Sequence, residues 1–295
     1  MLLADIMFRS NEFDEAIGYF SQMLDTKNVN YKALEKLILL IRRAGRLSEV
    51  PRFIAKAEKS SARAAMEPGL HYCKGLLARH TRNFQDALLE LNQARKDGEW
   101  GTKACCQMIE MYLDPEQLGD DANAASPMND KVKMAKQLRL ELTNVTPVKL
   151  MLYEGYEMLM SQHKATVEAS IDKFSKVLDI EKDRVDALLG MSYALRLLKQ
   201  EPKARNHLKR ISKMQYNTEE ADELERSYLL LADMYIQSNK NDLAQELCRK
   251  CLQYNKSCAK AWEFQGLIFE KEASYADAAQ VRNSALFRVL ASVSY

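Results

Sequence analysis

Glycine and proline are scarce in this sequence, at 10 and 6 residues of 295. A strand-and-turn architecture draws on both at its reversals, so the shortage argues for long helices. Long apolar runs are missing too. The longest, Leu37–Ile41, falls far short of the ~20 residues a membrane-spanning helix needs. Neither sign of charge dominates: 43 basic residues face 41 acidic ones, for a formal net charge of +2. So near a balance leaves no global field to hold nucleic acid or an anionic membrane. No signal peptide opens the chain, and the six cysteines follow no secreted disulfide pattern, so a reducing intracellular compartment is expected.

What the sequence does have is a repeat. Ala232, Tyr235 and Ala244 return as Gly266, Phe269 and Ala278, each 34 residues on. A small residue, an aromatic three later and an Ala nine further on, at a period of about 34, is the tetratricopeptide pattern. Two antiparallel helices approach closely only where side chains are small, and the aromatic fills the space beside that contact. Leu247, Cys248 and Cys251 make the apolar stripe of the second helix. One such pair cannot bury its own apolar face and must stack on a neighbour. The fold expected is therefore all-α, a superhelical solenoid of helix pairs.

The register runs along most of the chain. Ala4, Met7, Phe13, Ala16, Phe20 and Met23 occupy it first, in a pair whose opening turn is missing. Leu34, Leu37, Ile41, Val50, Ile54 and Ala57 follow, with Ala44-Gly45-Arg46 as the turn. Gly75, Phe84, Ala87, Leu91 and Ala94 form the third pair, and Trp100–Leu113 a further first helix with Ala104, Met108 and Met111 inward. The pattern lapses over Asp114–Lys131, an acidic, turn-rich stretch expected to be a mobile loop. Helix resumes at Val132–Leu142, Val148–Ser161 and Glu168–Leu178, the last with Ser170, Phe174 and Val177. Leu188, Met191, Ser192, Leu195, Ala204, Leu208 and Ile211 make the next pair, ahead of the unit at Ser227. About eight pairs result, two of them incomplete. The expected division is repeat pairs over 1–113, the loop over 114–131, repeat pairs over 132–279 and a divergent tail over 280–295.

Candidate chemistry is thin. Cys248, Cys251 and Cys258 have ligand-like spacing, but the first two fall on core positions and no His or fourth Cys is near in sequence. The adjacent pair Cys105-Cys106 points in different directions on a helix. His71, His80, His163 and His207 are scattered without a catalytic or metal signature. No phosphate-binding loop, nucleophile elbow or paired-carboxylate constellation occurs, so neither an enzyme nor a cofactor or metal site is expected. The densest basic segment carries Lys199, Lys203, Arg205, Lys209, Arg210 and Lys213. It lacks interleaved aromatics, which favours a solvated face or an acidic partner over RNA. A chaperone-adaptor clamp needs Lys and Asn on first helices; those beginning at Tyr31, Pro68, Val185, Glu225 and Ala259 have no Asn, which leaves Lys32 and Lys36 alone. Trp100 and Trp262 read as packing residues, and no individual protein-binding residue is singled out.

Four segments are more specific than the generic repeat: RRAGRLSEVPRFIAKAEK (Arg42–Lys59), NFQDALLELNQARKDGEWG (Asn83–Gly101), ALLGMSYALRLLKQEPKARNHLKRISKM (Ala187–Met214) and LLLADMYIQSNKNDLAQELCRKCLQYNKSCAKAWE (Leu229–Glu263). Together they resemble the C-terminal part of the tetratricopeptide repeat protein 21 family, the large repeat subunit of intraflagellar transport complex A. The resemblance covers most of Met1–Ala279. It implies a non-enzymatic scaffold that joins other subunits of that complex and ciliary cargo in retrograde transport and cilium assembly. The implied place is the cilium, its base and the cytoplasm, with no nucleic acid and no membrane insertion. A tetratricopeptide peptide-binding adaptor or co-chaperone is the alternative. Two departures stand out. The family's chain is much longer, and after Ala279 the segment QVRNSALFRVLASVSY puts Arg282 where a bulky apolar residue is expected. A fragment or variant form is therefore expected, with uncovered helix faces at both ends that favour self-association.

Overall fold

The structure is a computed structural model that describes residues 13–24, 30–60, 63, 66–118, 125–281 and 283. Fourteen helices carry labels here: α1 (Phe13–Met23), α2 (Tyr31–Ala44), α3 (Val50–Lys59), α4 (Pro68–His80), α5 (Phe84–Ala94), α6 (Gly101–Tyr112), α7 (Ala125–Glu141), α8 (Pro147–Met160), α9 (Lys164–Ile180), α10 (Val185–Leu197), α11 (Glu201–Ser212), α12 (Ala221–Gln237), α13 (Asn241–Tyr254) and α14 (Ala259–Lys271). A further helical stretch covers residues 275–281, and no described residue is in a strand. The fold is all-α and built from tetratricopeptide-type pairs. The expected positions Ala4 and Met7, together with Arg282 and residues 284–295 of the tail, lie outside the described residues.

Turn chemistry sets the pairing. Gly45, Arg82, Gln162, Lys199, Asn239 and Ala273 have positive φ, and each closes a first helix just before its second begins. After five of them the next N–H reaches back five residues to a carbonyl, as Arg46 does to Ile41, Gln200 to Leu195 and Ser274 to Phe269. This is the Schellman-type closure, which satisfies orphan carbonyls and reverses the chain. Only one of the six residues is glycine.

Packing then follows the register. Ala16, Ala87, Ala204 and Ala244 are fully buried, and so are Phe174, Leu91 and Leu208. Buried hydroxyls at two small-residue positions satisfy themselves: Ser170 donates to the Val167 carbonyl and Ser192 to that of Leu188, both at 2.7 Å. Glycine contributes where approach is closest. A Cβ on Gly155 or Gly190 would lie 2.7 or 2.5 Å from the Phe174 ring, so two first helices bracket one aromatic of a second. Phe84 departs from expectation. It starts α5 and is 42% exposed.

Two units emerge from the contacts, and each is a stack of its own. Unit 1 gathers Met1–Ala104 and Cys248–Tyr295, and unit 2 is Cys105–Leu247. In unit 2, α8 packs on α9, α9 and α8 on α10, and α10 on α11 and α12. In unit 1, α2 packs on α4 and α4 on α5. Unit 1 also contains a contact that a strictly linear stack lacks: the Lys256 N–H donates to the Arg43 carbonyl at 2.9 Å, beside Gly45. The inserted segment is shorter than Asp114–Lys131. Pro115–Leu118 is a 3₁₀ turn and α7 begins at Ala125, ahead of Val132.

Candidate functional site

First helices of unit 2 carry a polar face beside the apolar one. Acidic residues on it recur one helix after another: Glu110 on α6, Asp186 on α10, Glu223 and Asp233 on α12. Three of the four are tied to a neighbour. Tyr153 on α8 donates to Glu110 at 3.4 Å, and Tyr156 donates to the Asp186 backbone carbonyl at 2.9 Å. Arg184 grips Asp186 through two nitrogens at 2.8 and 3.1 Å. Arg196 pairs with Asp233 at 3.4 Å. Arg226, in the second turn of α12, reaches Asp114 just past α6 at 3.4 Å, yet keeps 30% of its side-chain surface.

The electrostatics of this face are those of a partly dehydrated polar wall. Burial, and then Asp186, push the Tyr156 phenol well above its usual range. Burial raises Tyr193 in the same direction. Glu223 is pushed up to about 7 by burial and by the like charges of Asp222, Glu110 and Asp186. For Arg226 burial opposes the charge, but Asp114 and the surrounding acids outweigh it and hold the guanidinium protonated. The sequence reading starts this first helix at Glu225, which takes in Arg226 but leaves Glu223, in the opening turn of α12, ahead of it. The signal was available: Asp222, Glu223 and Arg226 share one turn spacing ahead of an apolar run.

Unit 1 presents a different arrangement. The Asp97 side chain accepts from the N–H groups of Glu99 and Trp100, at 2.9 and 2.8 Å, and sets the start of α6. This fixes Trp100 against Tyr72 of α4, with ring centroids 5.0 Å apart. Lys103, one turn after Trp100, lies 5.2 Å from the Trp100 ring and 5.9 Å from that of Tyr72. Its ammonium meets Glu35 of α2 at 2.6 Å, and Tyr72 donates to the other oxygen of Glu35 at 3.3 Å. Glu35 is buried and Lys103 is half-exposed. Trp100 thus packs, as expected, and also lines a cation site that the chain fills itself.

The remaining candidates disperse. Lys32, one of the two lysines considered for a carboxylate clamp, is paired with Glu99 at 2.5 Å, and this hydrogen bond raises its pKa. His71 contacts Glu90 at 2.6 Å, His163 occupies the N-cap position of α9 without a side-chain capping bond, and burial lowers the pKa of His207. Cys248 and Cys251 are buried in α13, and burial pushes the Cys248 thiol up to about 12. Among the described residues no group of three or more His, Cys, Asp or Glu could hold a metal ion, and no helix is long and apolar enough to cross a membrane. Trp262 donates to the Lys256 carbonyl at 3.1 Å.

The basic segment forms one wall of an open groove. Lys203, Asn206, Arg210 and Lys213 follow each other at helical spacing on α11 and just beyond it, opposite the buried Ala204, Leu208 and Ile211. Arg210 crosses to the α9–α10 turn, where it donates to Asp183 at 2.7 and 3.1 Å and to the Lys182 carbonyl at 2.7 Å. The groove measures about 520 Å³ and is lined by Asp183, Asn206, Lys209, Arg210, Lys213 and Met214.

Comparison with known proteins adds the lineage. The family model described as the tetratricopeptide repeat protein 21 C-terminal ARM domain matches residues 133–289. The one described as the TT21 fifth ARM repeats domain matches residues 1–113. Tetratricopeptide repeat protein 21A of Mus musculus is 42% identical over 295 residues, covering 95% of this chain and 22% of its own length. Tetratricopeptide repeat protein 21B of Homo sapiens is 43% identical over 263 residues, covering 83% of this chain and 20% of its own. The chain thus spans about a fifth of the length of these relatives. Among solved structures, the APC/C hetero-tetramer Cut9-Hcn1 aligns with a TM-score of 0.53 and 13% identity, over 97% of this chain and 57% of that one, a likeness of fold alone.

Proposed function

The chain belongs to the tetratricopeptide repeat protein 21 family, and we propose that it is a non-enzymatic protein-interaction scaffold of the retrograde intraflagellar transport machinery. Its partners in this reading are other subunits of intraflagellar transport complex A and ciliary cargo, at the cilium, its base and in the cytoplasm.

The polar first-helix face of unit 2 is the observation that supports the reading best. Tyr156, Asp186 and Arg226 are held by neighbours before any partner arrives, which lowers the ordering cost of binding. A surface of preset donors and acceptors on rigid helices serves recognition of a protein segment. The adaptor alternative has less support, since Lys32 is already committed to Glu99.

Cross-linking mass spectrometry on the tagged chain in ciliated cells tests the reading. Cross-links from Lys149, which pairs with Glu110 of the polar face at 3.9 Å, to subunits of the transport complex are the expected result. Recovery of chaperones with acidic C-termini in their place would favour the adaptor, and no ciliary cross-link at all would overturn the scaffold.

A further inference from the structure

We propose that the groove between α11 and the α9–α10 turn is a docking site for an acidic peptide segment of a partner protein, read by Lys209 and Lys213. The inference rests on the scaffold reading only in taking the chain to hold partner segments. It adds a second surface and a stated chemistry.

The groove's charge is already partly spent, and what remains is of one sign. Three cations and one carboxylate line it, and Asp183 is engaged by Arg210 through two nitrogens. That contact, with the third hydrogen bond to the Lys182 carbonyl, holds Arg210 against the α9–α10 turn. Neither Lys209 nor Lys213 forms an ion pair among the described residues, and both are exposed. Asn206 offers an amide to a peptide backbone, and Met214 gives a small apolar floor. Lys203 extends the same face and is exposed, and Lys199 is exposed in the turn ahead of α11. Second helices elsewhere in unit 2 mix signs, as Lys164 and Glu168 do at four-residue spacing on α9.

The groove favours carboxylates on a peptide over the other anions. Lining groups include no aromatic on which a nucleic-acid base could stack. No large apolar side chain lines it to enter a lipid surface, Met214 being the one apolar member. Charge complementarity at such a rim sets approach and register, and its strength falls with salt.

The test is fluorescence anisotropy of the full chain with a short fluorescein-labelled Glu/Asp-rich peptide, beside its Gln/Asn counterpart, a poly-uridine RNA and phosphatidylserine vesicles. Saturable binding of the acidic peptide alone is expected, weakening as salt rises. Lys209→Glu combined with Lys213→Glu should weaken it by about tenfold or more. Both positions are exposed, and circular dichroism confirms that the variant folds. Asp183→Asn gives a readout of opposite sign: with Arg210 released from its partner, the acidic peptide should bind about threefold tighter. The proposal is overturned if the native chain ignores the peptide, if the charge-reversed variant binds it as well as the native chain, or if RNA or vesicles bind through these lysines instead. Ciliary cross-links that persist while the peptide fails would leave the scaffold reading standing and sink this one alone.

Discussion

Gly190 of α10 stands so close to Phe174 of α9 that an added methyl carbon would fall 2.5 Å from the ring. Phe174 is fully buried, and Gly155 presses on it from the other side. The ring has nowhere to retreat. Gly190→Ala should therefore destabilise the chain by about 1–3 kcal/mol through overpacking, although alanine is the better helix former. Urea unfolding followed by circular dichroism measures it. Phe174→Leu in the Gly190→Ala background should recover part of the loss, because the two positions touch and their effects do not add. An unchanged unfolding midpoint for Gly190→Ala would show that the contact is looser than described.

Backbone strain offers the opposite manipulation. Ala273 has φ of +60° at the closure of α14, a conformation that costs a residue with a Cβ about 1 kcal/mol or more. The Ser274 N–H donates to the Phe269 carbonyl at 2.9 Å across it, so the closure itself holds the conformation in place. Ala273→Gly should stabilise by up to about 1 kcal/mol, less the entropy glycine gains when unfolded. Thermal unfolding and amide exchange at Ser274 would report it. Destabilisation would mean the Ala273 methyl contributes packing that outweighs its strain.

These two sites mark where sequence reading stopped. The apolar stripe was legible because Ala204, Leu208 and Ile211 recur at a period that only one helix face can satisfy, and all three are fully buried. Gly155 and Gly190 were missed, since neither sits at a small-residue position of the repeat and their value comes from a shared neighbour on another helix. Phe84 takes a pattern position of the third pair, yet it stands at a helix start, where periodicity carries no information on cover. The polar contacts were invisible for a different reason. Glu35 and Lys103 lie 68 residues apart and Arg226 and Asp114 lie 112 apart, distances over which register carries no information on side-chain reach. A hint existed at Glu35, a charge set between Leu34 and Leu37 on the inward side of α2.

Lys103 and Glu35 show the asymmetry of such pairs. Lys103→Met leaves the buried Glu35 carboxylate without its cation, an unfavourable state. A loss of about 1–3 kcal/mol is expected, at the lower end because Lys103 is 47% exposed and water softens the change. Replacing both residues, Glu35→Leu with Lys103→Met, should cost less than Lys103→Met alone, since no orphan charge is left. A double-mutant cycle in urea decides. Simple additivity of the two changes would mean that the pair is not coupled.

Glu223 links the polar wall to pH. Its carboxyl is held at about 7 instead of the ordinary 4.5, with burial the largest cause and Asp222, Glu110 and Asp186 adding to it. Between those two values the folded chain keeps a proton that the unfolded chain has released. Folding then binds protons, so this group's contribution to stability declines as pH rises from about 4.5 to about 7 and is level above that. Glu223→Gln mimics the protonated form and removes the slope. The variant should match the native chain near pH 5 and be the more stable one at pH 8. Urea midpoints recorded at intervals from pH 4.5 to 8 test it. Curves that run parallel for the two proteins would place the Glu223 carboxylate in contact with water or with Arg226 strongly enough to titrate normally, and the wall would then carry one more negative charge toward a partner.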